Sequence, residues 1–318
     1  MKTLERMKYP RQLMIELSRK CNLHCINCHH TDDPGIIDKY TFAKIVGNIA
    51  YAYHEAKESL PILCPWFYSE PLMTQNLFEY LEYPSALGYK INLTTNGVIK
   101  DQWESLIKYK INYHLIVFSI DGLECKTYKA IRNHSIASVK KSLHELTSII
   151  SSNNLEVPIC IKLTNKGIEW SEIIEFVKKY LDNPFVKMVS VSRAFDDTDG
   201  PLVARHTCRY LSEFFIIKND LAISPCCMRW RAIKKGIGNV DIDNPMESFF
   251  SLERAKRIND LTNGDLHGYC LGCMSAYTGD TIDGTVDGKP FGKDVAIKTK
   301  QDFYNTFYFN PDYREAKV

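Results

Sequence analysis

Three cysteines stand close together near the start of the chain, spaced Cys21-x-x-x-Cys25-x-x-Cys28 in the run LMIELSRKCNLHCINCHH at 13–30. Thiolate sulfur is the usual ligand of cluster iron, and a closed cluster or a structural zinc ion takes four protein ligands. Three leave one metal corner open, and chemistry happens at an open corner. The same residues also allow a zinc knuckle completed by His24, His29 or His30. A second set comes much later: Cys208, the pair Cys226-Cys227, and Cys270-x-x-Cys273. With one member of the pair these four close a single metal centre, for which zinc is the plain reading. Cys64, Cys125 and Cys160 fall outside both sets and are expected to pack as small hydrophobes, with Cys64 and Cys160 on strands.

The chain has 318 residues, 45% hydrophobic and 25% charged, enough for one large domain or a domain with an appendage. No apolar run reaches a membrane span, and residues 1–10 lack the apolar core of a signal peptide. A cytoplasmic location without a membrane partner is expected. There the 11 cysteines serve as ligands or catalysts rather than disulfides. Net charge is +2 with no basic stripe. A nucleic-acid enzyme makes about 6–10 phosphate contacts and shows one, so no nucleic-acid partner is expected.

The first cysteines are positioned by the strand before them, with Leu13, Ile15 and Leu17 on one face. Apolar runs at 62–68, 90–95, 113–120, 157–164 and 185–192 read as further strands. The helix after the cysteines is capped by Asp38 and carries Phe42, Ile45, Val46, Ile49, Ala50 and Tyr53. Others carry Leu77, Phe78 and Leu81, or open with an Asp101-x-x-Glu104 capping box and turn Trp103, Leu106 and Ile107 inward. A helix broken near Asn133 resumes with Val139, Leu143, Leu146 and Ile150. The last is capped by Ser171 and carries Ile173, Phe176, Val177 and Tyr180.

Strands alternating with helices imply parallel βα units. A complete eightfold barrel takes about 250 residues. Six units ending near Ser192 therefore predict an α/β fold, a partial (βα)6 TIM-like barrel over 1–192. In barrels the site gathers at the C-terminal strand ends, where the cysteine loop leaves strand one. A polar connector follows at 193–205, then a hairpin of 214–217 and 221–224 about Asn219-Asp220. The hairpin brings Cys208 and Cys226-Cys227 together, with Cys226, nearer the end that Cys208 meets, as the expected ligand. Asn244-Pro245 opens a helix with Phe249, Leu252, Ile258 and Leu261. These elements make a small hairpin-and-helix unit over 193–280, followed by an unplaced tail at 281–318.

The three-cysteine loop after a first strand resembles the radical S-adenosylmethionine (SAM) enzymes. That resemblance implies a 4Fe–4S cluster whose open iron is chelated by SAM, and cleavage of SAM to a 5′-deoxyadenosyl radical. Tyr68-Ser69-Glu70-Pro71 resembles the family's Gly-Gly-Glu-Pro motif, whose backbone and acid hold the SAM amino group; Tyr68 and Ser69 replace the glycines. Thr94-Thr95-Asn96-Gly97 is similar to a segment near the SAM methionine. Ser119-Ile120-Asp121-Gly122, with Thr127-Tyr128 and Ile131-Arg132, resembles the stretch whose serine and acid approach the ribose and whose arginine meets the carboxylate. The cofactor-binding residues implied are Glu70, Thr94, Asn96, Ser119, Asp121 and Arg132. The family's aromatic residue before the third cysteine is Asn27 here.

Behind such a barrel, the second cysteine set resembles the extensions called SPASM and, in shortened form, twitch. This implies one auxiliary 4Fe–4S cluster held by Cys208, Cys226, Cys270 and Cys273. Together the resemblances imply an oxidoreductase with two 4Fe–4S clusters, served by a flavodoxin- or ferredoxin-like electron donor. The expected reaction is dehydrogenation of a hydroxyl-bearing small molecule such as a sugar or aminocyclitol, with Arg193 or Lys162 as base or steering group. The alternatives are an epimerase using Cys227 as hydrogen donor on a carbohydrate or peptide, a peptide-modifying maturase, and a non-catalytic iron–sulfur or zinc protein. Only 20 residues precede Cys21, which favours a small molecule over a peptide.

Overall fold

The structure is a computed structural model that describes residues 7–26, 28, 35–99, 102–122, 124–165, 170–193, 208–226 and 236–264, with three short strand pieces beyond. Its first part runs β1 (Gln12–Ile15), α1 (Lys39–Glu55), β2 (Ile62–Cys64), α2 (Leu77–Ala86), β3 (Ile91–Thr95), α3 (Ser105–Lys108) and β4 (Tyr113–Ser119). It continues with α4 (Cys125–Arg132), α5 (Ile136–Ser152), β5 (Ile159–Asn165), α6 (Trp170–Leu181) and β6 (Val186–Arg193). Then come α7 (Arg209–Glu213), β7 (Phe214–Ile217), β8 (Ile223–Ser224), α8 (Pro245–Phe249) and α9 (Leu252–Thr262). The last pieces are β9 (Thr285–Val286), β10 (Lys289–Pro290) and β11 (Val295–Ile297). Nine strands form one sheet in the order β11-β6-β5-β4-β3-β2-β1-β7-β8, and β1 to β6 pair parallel. It is an α/β fold on a mostly parallel sheet.

The two faces of the sheet differ in what covers them. Leu13 and Ile15 join the large core shared with α1 to α6, whereas Met14 joins Cys64, Phe67, Phe214 and Ile216 in a second cluster. Side chains alternate along a strand, so this second face also carries Cys160 and Lys162, since Ile159, Ile161 and Leu163 sit in the large core. Register links Ser119, Lys162 and Ser190 in one row across β4, β5 and β6. Helix ends follow local chemistry. Asp38 accepts from Thr41 N at 2.9 Å to open α1, and Asn133, at φ +52°, closes α4 in the left-handed region. No described helix is long and apolar enough to cross a membrane.

Several expectations need correction. Ser171 lies inside α6, which starts at Trp170. Asp101 is outside the described residues, and Glu104 makes no side-chain cap at α3; Ile107 points outward, 53% exposed. The helix expected from Asn244 is two helices. Ser251 accepts from Arg254 N and restarts the chain as α9, leaving Leu252 74% exposed in the new first turn. The hairpin continues the sheet, with β7 parallel to β1 from Gln12↔Phe214 to Ile15↔Ile217. All four β7 residues are buried. At about 1.5–3 kcal/mol for each buried large side chain, that burial holds the hairpin on β1. From the tail, β11 pairs antiparallel with β6 and covers the opposite edge.

Candidate active site

Cys21, Cys25 and Cys28 lie half-buried on the loop leaving β1. Ile26 N donates to Ile131 O at 3.1 Å, which docks the loop on the end of α4, and Cys28 N donates to Cys25 O at 3.0 Å. Burial pushes the Cys21 thiol up to about 11 and raises that of Cys25, the latter against the pull of Arg132. Such thiols are neutral without a metal and must lose their protons to bind one. The three cysteines line one cavity with Trp66, Tyr68, Glu70, Thr94, Asn96, Ser119 and Arg132. Eight of the ten are site residues expected from the sequence, three by their spacing and five by resemblance, here gathered from the exits of β1 to β4 and from α4.

Glu70 ties three of those exits together. Its carboxylate accepts from Leu72 N at 3.1 Å, Thr95 Oγ1 at 2.7 Å and Asn96 N at 2.6 Å, and its own N–H donates to Lys20 O at 2.9 Å. Burial lifts its pKa to about 7 against those bonds. Both oxygens serve protein donors, so the acid organises the β2 and β3 exits. Asn96 reaches the cysteine loop, Nδ2 donating to Asn22 Oδ1 at 2.8 Å and lying 3.8 Å from Cys21 Sγ. Gly97 makes this turn possible. At φ +73° a Cβ there would sit 2.7 Å from Phe118.

Arg132 projects from the end of α4, with Nε 2.5 Å from Asp121 Oδ2 and Nη1 3.7 Å from Cys25 Sγ. Burial opposes its charge, but the Asp121 carboxylate outweighs it and holds the guanidinium protonated. Asp121, expected toward a ribose, pairs with Arg132 through Oδ2. Strand register places Lys162 between Ser119 and Ser190.

Sequence reasoning missed Glu16. It directly follows β1, is 1% exposed, and accepts from Arg19 Nε at 3.1 Å, Tyr68 N at 3.3 Å and Asn219 N at 3.5 Å. Arg19 also pairs with Asp220 at 3.2 Å. One carboxylate thus joins the cysteine loop, the β2 exit and the hairpin turn. The signal was present: a lone acid inside the apolar run LMIEL. Glu16→Ala is expected to cost about 1–3 kcal/mol, because three donors lose a buried acceptor. Asp220, 46% exposed, should cost under about 1 kcal/mol as alanine. Denaturant unfolding of both variants tests the ranking; equal losses would refute it.

The second cysteine set is only partly described. Cys208 caps α7 just before β7, and Cys226 lies two residues past Ser224, the register partner of Ile216. Both are therefore at the hairpin end away from its turn, level with the start of β1, whereas the first loop leaves the end of β1. The four residues of β1 separate these levels by about 10 Å. Cys227, Cys270, Cys273, Asn27, His29 and His30 lie outside the described residues, as does the side chain of Arg193. Among the described residues, no group of three His, Cys, Asp or Glu is placed to hold a single metal ion.

Residues 15–160 match the family model described as the Radical SAM superfamily. This segment is a radical SAM domain. A probable GTP 3′,8-cyclase of Methanocaldococcus jannaschii is 26% identical over 226 residues, covering 65% of this chain and 73% of that protein. SuiB of Streptococcus suis bound to S-adenosylmethionine superposes with a TM-score of 0.62 at 16% identity, over 81% of this chain and 67% of SuiB. Native anSMEcpe with bound AdoMet gives 0.56 at 16%, over 80% and 84%. BtrN in complex with AdoMet and 2-DOIA gives 0.52 at 14%, over 81% and 89%. These likenesses establish the fold of the radical SAM domain and its surroundings.

Proposed function

We propose that this chain binds SAM, cleaves it reductively and removes a hydrogen atom from a small-molecule substrate. The observation that carries this reading is the meeting of three loop thiols with Glu70–Asn96 and Asp121–Arg132 at the exits of β1 to β4. The donor set suits an iron–sulfur cluster: three thiols share one cavity, with Arg132 beside Cys25 and Asn96 beside Cys21 to stabilise thiolate charge. Bound there, a cluster supplies the electron that splits SAM into methionine and a 5′-deoxyadenosyl radical. Helices α1 to α6 share one core, which favours a partial barrel whose inner face is the substrate chamber.

The protein's share of the work is binding and enclosure. Arg132 spends Nε and Nη1 on Asp121 and Cys25, which leaves Nη2 for a ligand carboxylate. Tyr68, where the family has a glycine, walls the cavity together with Trp66 and excludes water from it. Oxidation of a CH–OH group releases a proton and an electron beyond the abstracted hydrogen. Lys162, on the inner row beside Ser119, is suited to steer that proton. The electron calls for a second centre, which assigns Cys208, Cys226, Cys270 and Cys273 to an auxiliary cluster of SPASM or twitch type.

Anaerobically reconstituted protein, given SAM and dithionite, is expected to yield 5′-deoxyadenosine. No such product from protein with full iron occupancy would overturn the reading. With a turned-over substrate, a product two mass units lighter marks dehydrogenation, and one deuterium taken from deuterated water marks epimerisation.

A further inference from the structure

Tyr128 sits one turn before Arg132 on α4, so the two side chains share a helix face. The residue is fully buried, and its hydroxyl has no hydrogen-bond partner among the described residues. A buried hydroxyl without a partner costs about 1–3 kcal/mol, and folded proteins seldom leave one so. The hydroxyls of Tyr113 and Tyr180 are also without partners, but burial alone acts on them. Around Tyr128 stand Arg132, Asp121, Cys25 and Glu70, the charged and ligating groups of the site. Of these three phenols, only that of Tyr128 has the charged groups of the site around it.

Local backbone holds it there. Gly122, at φ +104°, lets the start of α4 close on the end of β4; a Cβ would meet Thr127 Cβ at 3.0 Å and Tyr128 N at 3.3 Å. The carboxylates nearby already have partners of their own. Both Glu70 oxygens take protein donors, and Asp121 Oδ2 takes Arg132. No described residue supplies the acceptor, which is the ground for seeking it on a ligand. A carboxylate suits best, because it has two oxygens to share between a guanidinium and a phenol.

We propose, resting on the SAM-binding reading above, that the Tyr128 hydroxyl is a ligand-binding group that donates to the SAM carboxylate beside Arg132. Burial pushes the phenol up to about 12, so it remains a donor at neutral pH.

The test is Tyr128→Phe, which keeps the ring and removes only the hydroxyl. In the full reconstituted chain, anaerobic calorimetric titration with SAM should show affinity reduced about tenfold, as for loss of a hydrogen bond to a charged group. Without SAM, the melting midpoint should stay level or rise, because the variant no longer buries an unpaired hydroxyl. Tyr180→Phe, which removes an orphan hydroxyl away from the site, should bind SAM as the natural chain does. Undiminished affinity in Tyr128→Phe overturns the inference, as does a lowered midpoint with affinity lost only in step with folded protein. If the natural chain itself binds no SAM, the functional reading fails first and takes this inference with it.

Discussion

Alanine in place of Cys21, Cys25 and Cys28 together is expected to abolish SAM cleavage and remove one cluster's worth of iron and sulfide, leaving the chain folded. The folded outcome matters, because it separates loss of a ligand set from loss of a structure. The loop is held by contacts that do not involve sulfur: Glu70 N to Lys20 O at 2.9 Å, Ile26 N to Ile131 O at 3.1 Å, and Asn96 Nδ2 to Asn22 Oδ1 at 2.8 Å. None of the three thiols is fully buried, so truncation leaves small voids rather than a core cavity. Cys64 and Cys160, 1% and 2% exposed, belong to the second face of the sheet, and alanine at either should leave iron content unchanged. Metal analysis beside a 5′-deoxyadenosine assay reads the result. Continued cleavage by the triple variant would remove the loop from the chemistry. Near-stoichiometric zinc in the natural chain, with iron for one cluster only, would count against the auxiliary assignment to Cys208, Cys226, Cys270 and Cys273.

The repeating units were legible because each strand is an apolar run and each helix an amphipathic one. Asn133 in the left-handed region between α4 and α5 lies where the helical pattern breaks. Residues 62–68 read as one long strand because Trp66, Phe67 and Tyr68 are apolar, yet the ladder stops at Cys64. Trp66 and Tyr68 leave it to line the cavity, and single-sequence periodicity cannot separate an aromatic strand from an aromatic wall. The hairpin was visible from its turn, but its docking on β1 was not. Four apolar residues state that they will be buried without stating which edge they will cover. The site residues were found as types at strand ends, and their pairing was not. Asp121 and Arg132 are eleven residues apart, and only the turn at Gly122 and the length of α4 bring the carboxylate onto the guanidinium.

Arg132→Ala should weaken SAM binding by about ten- to a hundredfold, the loss of a charge-assisted bond of about 1.5–3 kcal/mol. It should also destabilise the chain, since the Asp121 side chain is 6% exposed and loses its 2.5 Å partner. Removing one member of a buried pair costs about 3–5 kcal/mol, a figure to lower here because the Arg132 side chain keeps 16% exposure. Arg132→Lys distinguishes the two effects. An ammonium can still neutralise Asp121 and recover stability, but it lacks the planar fork that holds Asp121 and Cys25 and has a nitrogen left for the proposed ligand. Stability recovered with affinity still reduced is the expected pattern. The contact with Cys25 adds a third readout. Hydrogen bonds and positive charge near cluster sulfur make reduction easier. Both changes loosen the 3.7 Å contact, and Arg132→Ala also removes the charge. The midpoint potential of the reconstituted cluster should therefore fall most in Arg132→Ala and less in Arg132→Lys. Unchanged SAM affinity in a folded Arg132→Ala would remove this residue from the ligand site. An unchanged potential would show that its contact with Cys25 does nothing for the cluster.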